Sequence, residues 1–160
     1  MGGKNVRPLV AFAATLAVAC GMGASPPGDE ELRTRFRADR AAFEAMLGSL
    51  RRSPVLTERG SWKVSREDVV TLGLPTADAE AVGTGFDRLG LPWVKGESGP
   101  AGPVVFVTWA ADIVGPGHHA RGFAWAKERP RGRPKSDETV AFETYTPLEG
   151  DWYLFEELID

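Results

Sequence analysis

The chain has 160 residues, 42% of them hydrophobic, and its 19 Lys and Arg against 22 Asp and Glu give a formal charge of -3. That length supports one hydrophobic core and not two, and the mildly acidic balance excludes the basic footprint of a nucleic-acid binder. A lone cysteine, Cys20, excludes an internal disulfide framework.

The first 19 residues read as an export leader. Lys4 and Arg7 give it a positive start, and the apolar run Pro8 to Ala19 falls short of the about 20 residues a helix needs to span about 30 Å of hydrocarbon. The stretch Leu16-Ala17-Val18-Ala19-Cys20 resembles the lipobox of bacterial lipoproteins, in which small residues precede a cysteine that a dedicated peptidase exposes. Ala19 fits the small position before the cut, while Ala17 stands where leucine is commoner. The resemblance implies a thioether-linked diacylglycerol on Cys20, usually with a third, amide-linked chain, and so makes the lipid bilayer a partner. Two or more chains anchor stably where one does not. The Asp that favours inner-membrane retention in Gram-negative lipoproteins is replaced by Gly21, so the outer membrane, facing the periplasm, is the expected location in such a host. An ordinary secretory signal, cleaved before Cys20 or near Gly23-Ala24-Ser25, is the alternative. Removal of residues 1–19 takes away Lys4 and Arg7 and no acid, which moves the formal charge from -3 to -5. The acyl chains, rather than surface charge, would then hold the membrane.

Residues 20–28 join the cysteine to Gly, Ala, Ser and two prolines, the composition of a flexible tether, and a single domain is expected over residues 29–160. Asp29 reads as a helix N-cap with Glu30 and Glu31 in the first turn. Leu32, Phe36, Phe43, Met46, Leu47 and Leu50 share one face at helical spacing, which predicts a helix from Glu30 to Arg51 that Ser53-Pro54 stops. Ser65-Arg66-Glu67-Asp68 resembles a capping box with a short acid and predicts a helical turn over Arg66 to Leu72. A further helix is expected from Pro75-Thr76, with Ala79, Val82, Phe86 and Leu89 on one face and Gly90 at its C-terminal stop.

Beyond Gly90 the residues turn β-branched and aromatic. Leu91 to Lys95, Val104 to Ala110, Arg121 to Glu128, Thr139 to Tyr145 and Trp152 to Glu156 are each of strand length between Gly, Pro or charged loops. Val104 to Trp109 is apolar on both alternating sets, as a strand covered on both faces would be, and Phe123 and Trp125 alternate with Gly122, Ala124 and Ala126. The reading is α+β: N-terminal helices packed on an antiparallel, mostly meander β-sheet formed by the second half. Arg121-Gly122-Phe123-Ala124-Trp125, a proline-containing loop, a strand around Phe142 to Tyr145 and the closing Trp152-Tyr153-Leu154-Phe155 resemble the C-terminal half of a group of small bacterial lipoproteins of unknown function. In that group the corresponding strands are of Lys-Gly-Tyr-Ala-Tyr and Trp-Tyr-Leu-Tyr type; here Arg121 replaces Lys, and Phe123 and Trp125 replace Tyr. The resemblance covers the last third and the first helix, and it implies no activity.

Few residues are arranged for chemistry. His118 and His119 are the only histidines and follow Gly115-Pro116-Gly117, so a solvated turn is expected; neighbours on a strand would point to opposite faces and would share a metal only if the turn bent them together. One of them could act as a general base beside Asp112 or a glutamate. Glu149, Asp151, Glu156, Glu157 and Asp160 crowd the C-terminus and read as an acidic, solvated tail, with a glycan-cleaving carboxylate pair as the alternative. Ser61, Ser65, Ser98 and Ser136 lack the turn that exposes a nucleophilic serine. No phosphate loop or dinucleotide fingerprint is present, and neither cofactor nor metal is expected. Arg129, Arg131, Arg133 and Lys135 form a basic loop suited to an anionic envelope component or an acidic partner protein. The same charges would also keep a hairpin soluble and closed to edge pairing. The expected function is a non-catalytic binding or interaction module of the cell envelope; a small hydrolase using a His/carboxylate pair, or an inhibitor of a periplasmic enzyme, are the alternatives.

Overall fold

The computed structural model describes residues 25–97, 102–112, 117–133 and 141–159. Cys20, Lys135, Asp160 and the leader lie outside the described residues. Helix α1 runs Asp29–Arg51 and buries the predicted stripe of Leu32, Phe36, Phe43, Met46, Leu47 and Leu50, together with Ser49. Gly28, not Asp29, is the N-cap, and it has no side-chain cap bond. The Asp29 carboxylate instead accepts from the Arg121 guanidinium of a later strand, a stronger, charge-assisted bond than a cap would supply. Ser53 ends α1 and caps a short helix α2, Pro54–Glu58, through Leu56 N, while its hydroxyl donates to Leu72 O.

Strand β1, Ser61–Val64, lies where the sequence pattern predicts no strand, and it brings a strand from the first half into the sheet. It alternates exposed Ser61 and Lys63 with buried Trp62 and Val64, a period of two too short to stand out of its surroundings. A 3-10 turn follows at Glu67–Thr71, where predicted, with the Asp68 carboxylate accepting from both the backbone N–H and the hydroxyl of Ser65 at 2.7 Å. Helix α3, Thr76–Leu89, ends at Gly90 in the left-handed region, φ 55°. Gly85 costs helix propensity but permits close packing on α1: a Cβ there would lie 2.8 Å from Met46 Sδ. Asp78 fastens the two helices, accepting from Ser49 Oγ and Arg52 Nε at 2.9 Å each, and these bonds hold its carboxyl down at about 2.

The remaining strands are β2 Trp93–Glu97, β3 Val104–Asp112, β4 His118–Trp125, β5 Phe142–Pro147 and β6 Trp152–Ile159. All neighbours are antiparallel, in the order β1-β2-β3-β4-β6-β5. The fold is therefore the expected α+β, a meander through β4 with β6 then inserted ahead of β5. That exchange follows composition. Trp152, Tyr153, Leu154 and Phe155 are all buried, as an inner strand requires, whereas β5 carries exposed Thr146 and Pro147, suited to an edge.

The helices cover one face of the sheet. Phe36 and Phe43 of α1 meet Phe123 at 5.3 and 5.0 Å between ring centroids, Phe43 meets Phe106 at 5.5 Å, and Trp152 lies 5.1 Å from Phe36. Each such pair contributes about 0.5–1.5 kcal/mol beyond the area it buries. The opposite face has a smaller cluster of its own, with Val105, Val107, Ala120, Ala124, Tyr145, Tyr153 and Phe155. A β-bulge interrupts the β3–β4 register between Val107 and Trp109, and it brings backbone against Gly122. A Cβ on Gly122 would lie 2.0 Å from the Phe106 carbonyl oxygen. Gly122→Ala is therefore expected to lose about 1–3 kcal/mol or more of stability, since the obstacle is backbone; chemical denaturation measures it, and an unchanged midpoint would show that the bulge relaxes freely.

Candidate functional site

The face away from the helices is curled into a cleft, and one side chain reveals the curl. Lys95 Nζ on β2 donates to Glu143 Oε2 on β5 at 3.3 Å, although β3, β4 and β6 lie between those strands. Four steps of about 4.8 Å would put β2 and β5 about 19 Å apart in a flat sheet, beyond what a lysine and a glutamate can bridge. The sheet must bend toward this face. The bulge in β3 and the small residues Ala120, Gly122 and Ala124 at the middle of β4 allow it to bend.

Across that floor of small residues runs a continuous chain of hydrogen bonds. Lys95 Nζ also donates to Glu157 Oε1 at 2.6 Å; Glu157 Oε2 faces His118 Nε2 at 3.3 Å; and the Tyr145 hydroxyl donates to Glu143 Oε1 at 2.9 Å. The Glu157 side chain is only 9% exposed, and all four of the carboxylate oxygens in the chain are engaged. A carboxylate so deeply placed is tolerable because it is paired and hydrogen-bonded. Aromatic rings frame the ammonium: Lys95 Nζ lies 4.9 Å from the Phe155 ring centroid and 5.9 Å from that of Trp93, while Lys63 Nζ lies 4.1 Å over the same indole. A cavity of about 370 Å³ opens beside this chain, lined by residues that include Lys63, Lys95, Glu97, Val105, Glu143 and Tyr145.

His118 and His119 are the first two residues of β4 rather than a solvated turn, because the strand starts three residues earlier than expected and pairs them with Asp112 and Ala111. As expected for strand neighbours they diverge: His118 turns to Glu157 in the cleft, His119 Nε2 to Glu156 Oε1 at 2.9 Å on the other face. Glu149, Glu156 and Glu157 are likewise not part of a solvated tail, whereas Asp151 is exposed. Strand β6 continues through Ile159, so Glu156 and Glu157 fall on opposite faces, while Glu149 meets Arg37 and Arg40 of α1 at 3.2 and 3.3 Å. Glycosidase chemistry finds no room at the carboxylate pair the cleft does assemble, Glu143 and Glu157, because the Lys95 ammonium occupies the position between them.

Of the basic loop, Arg129, Arg131 and Arg133 are exposed. Arg133 O accepts from Glu143 N at 2.8 Å in an isolated bridge, so this loop covers part of the outer edge of β5, and Arg129 donates to Tyr145 O at 3.4 Å. Among the described residues no group of three or more His, Cys, Asp or Glu is placed to hold a metal ion. Lys95, Glu143, Tyr145 and Trp93 belong to no motif in the sequence. The only sign of them was charge inside apolar strands, Lys95 and Glu143 standing where alternation leads one to expect a packed face. Compared with known proteins, the chain matches no family model, no curated protein and no solved structure.

The arrangement can bind and orient a small ligand, and it holds one phenol in an unusual state. Burial first, and then the adjacent Glu143 carboxylate, push the pKa of Tyr145 well above the ordinary phenol value. A raised folded value means that Tyr145 contributes its full stability below the ordinary value of 10.0, and that the contribution is lost as pH climbs from there toward the raised value. Spectroscopic titration should show Tyr145 remaining a phenol until the protein unfolds, and Tyr145→Phe should flatten the loss of stability above pH of about 10. A Tyr145 that ionises near 10 in the folded protein would contradict this placement.

Proposed function

We propose that the protein is a lipid-anchored component of the bacterial cell envelope, held to the bilayer through acylated Cys20, whose domain binds a ligand or partner in the cleft without catalysis. The cleft carries this reading. A sheet with helices on one face only, whose other face curls around a cavity with convergent lysines, carboxylates and aromatic rings, has the form of a binding site. Anchorage rests on the leader and on Leu16-Ala17-Val18-Ala19-Cys20. Among the described residues no helix is long and apolar enough to cross a membrane. The grip of Arg121 on Pro27 O and Asp29 supports a tether that joins the domain at a fixed point.

The His118–Glu157 contact favours a second reading, a hydrolase with His118 as general base. Among the described residues no serine, threonine or cysteine is hydrogen-bonded to His118, so such an enzyme would have to activate water. Substitution separates the two: His118→Gln should leave ligand capture by the cleft unchanged, whereas a hydrolase would lose its turnover.

The anchorage is tested by feeding labelled palmitate to cells that make the wild-type protein or Cys20→Ala. Label is expected on the wild type alone, with the variant moving into the soluble envelope fraction. An unlabelled wild type would return the leader to an ordinary secretory signal. In the same cells, a photo-crosslinking residue in place of Ser61, on the rim of the cavity, should capture a ligand or partner that the same residue in place of exposed Val70 does not.

A further inference from the structure

Most charges in the cleft are already satisfied, and those that are not lie together. Both oxygens of Glu143 and both of Glu157 have partners. Lys95 spends two of its three N–H groups on them and keeps one. Lys63 has no carboxylate partner among the described residues; its ammonium rests on the Trp93 indole. Lys63 and Lys95 are also direct partners across the β1–β2 pair, on the same face, where like charges repel. Both ammonium groups lie within 6 Å of the Trp93 ring centroid, and both lysines, though not Trp93 itself, line the cavity with donors unspent. An anion placed between them would give Lys63 the carboxylate partner it lacks and take the remaining N–H of Lys95, whose two carboxylates already fix it, so little side-chain freedom is lost on binding.

The rest of the lining narrows the class. Glu97 and Glu143 face the same cavity and would repel a doubly charged phosphate more than a singly charged carboxylate. Val105, Pro103 and the Tyr145 ring give an apolar wall for an organic body, and about 370 Å³ lies near the lower end of small-molecule sites. We propose that the cavity binds a small monocarboxylate, its carboxyl group between the Lys63 and Lys95 ammonium groups beside Trp93 and its apolar body against Val105 and Tyr145. This assignment rests on the cleft being the binding site.

The experiment is a titration of the full-length protein, purified in detergent, with 3-phenylpropanoate, 3-phenylpropanamide and phenyl phosphate, followed by calorimetry and by NMR shifts of Val105 and the Trp93 indole. The carboxylate is expected to bind at least tenfold more tightly than either the amide or the phosphate, and more weakly as salt rises. Lys63→Met should cut its affinity at least tenfold, while exposed Lys127→Met should not; both positions are exposed, so the fold is retained, as circular dichroism will verify. Equal binding of acid and amide, or preference for the phosphate, would overturn the carboxylate class and leave the cavity as a ligand site. No shift at Val105 or Trp93 with any of the three would overturn both.

Discussion

The alternation of large and small side chains along β4 is the constraint on which the rest of the molecule depends. Phe123 points to the helices and meets Phe36 and Phe43, so it fixes α1 against the sheet. Between these residues Ala120, Gly122 and Ala124 point the other way and project almost nothing. A strand with bulk on both sides would need a second layer to cover it. With bulk on one side only, the sheet can curl over its small side, and a lysine from β2 can lie across it to reach β5 and β6.

That lysine is what makes the cleft polar at tolerable cost. A carboxylate as enclosed as Glu157 loses several kcal/mol of hydration, and the loss is recovered only where the opposite charge is close and each oxygen has a partner. Lys95 at 2.6 Å and His118 at 3.3 Å meet both conditions. The same geometry holds the Lys95 ammonium in place, with two of its N–H groups committed to Glu143 and Glu157. A cleft whose charges are held in place in this way suits the proposed role in recognition through fixed charge.

How much of this could be read from the chain depends on the range of the contacts involved. Helices α1 and α3 were legible because Phe36, Phe43, Val82 and Phe86 repeat at a local period, and Gly90 marks its stop through its own backbone. The inner position of β6 was legible in principle from four consecutive apolar residues, and the edge position of β5 from Pro147. Strand β1 was not, since two buried residues in four carry little periodic signal and the strand is held by pairing with β2, some thirty positions on. The ends of β4 and β6 were underestimated for one shared reason: His118, His119, Glu156 and Glu157 look like turn and tail residues until each histidine finds its carboxylate on the neighbouring strand. The site itself is the least local feature. Lys95 is 48 residues from Glu143 and 62 from Glu157, and only the strand order and the curl bring them together.

The position of the tether gives the cleft a direction. Arg121 holds Pro27 and Asp29, and it sits in register with Trp109 and Glu156, toward the His118 end of β4. The cavity lies toward the opposite end, where Lys95 pairs with Val105 and Val105 with Ala124. Three residues along β4 separate those rows, about 10 Å. Seven residues from Cys20 to Pro27 reach at most about 25 Å when fully extended. On the proposed anchorage, the bilayer pulls on the Arg121 end of the sheet, and the mouth of the cavity is the end left free to meet a ligand.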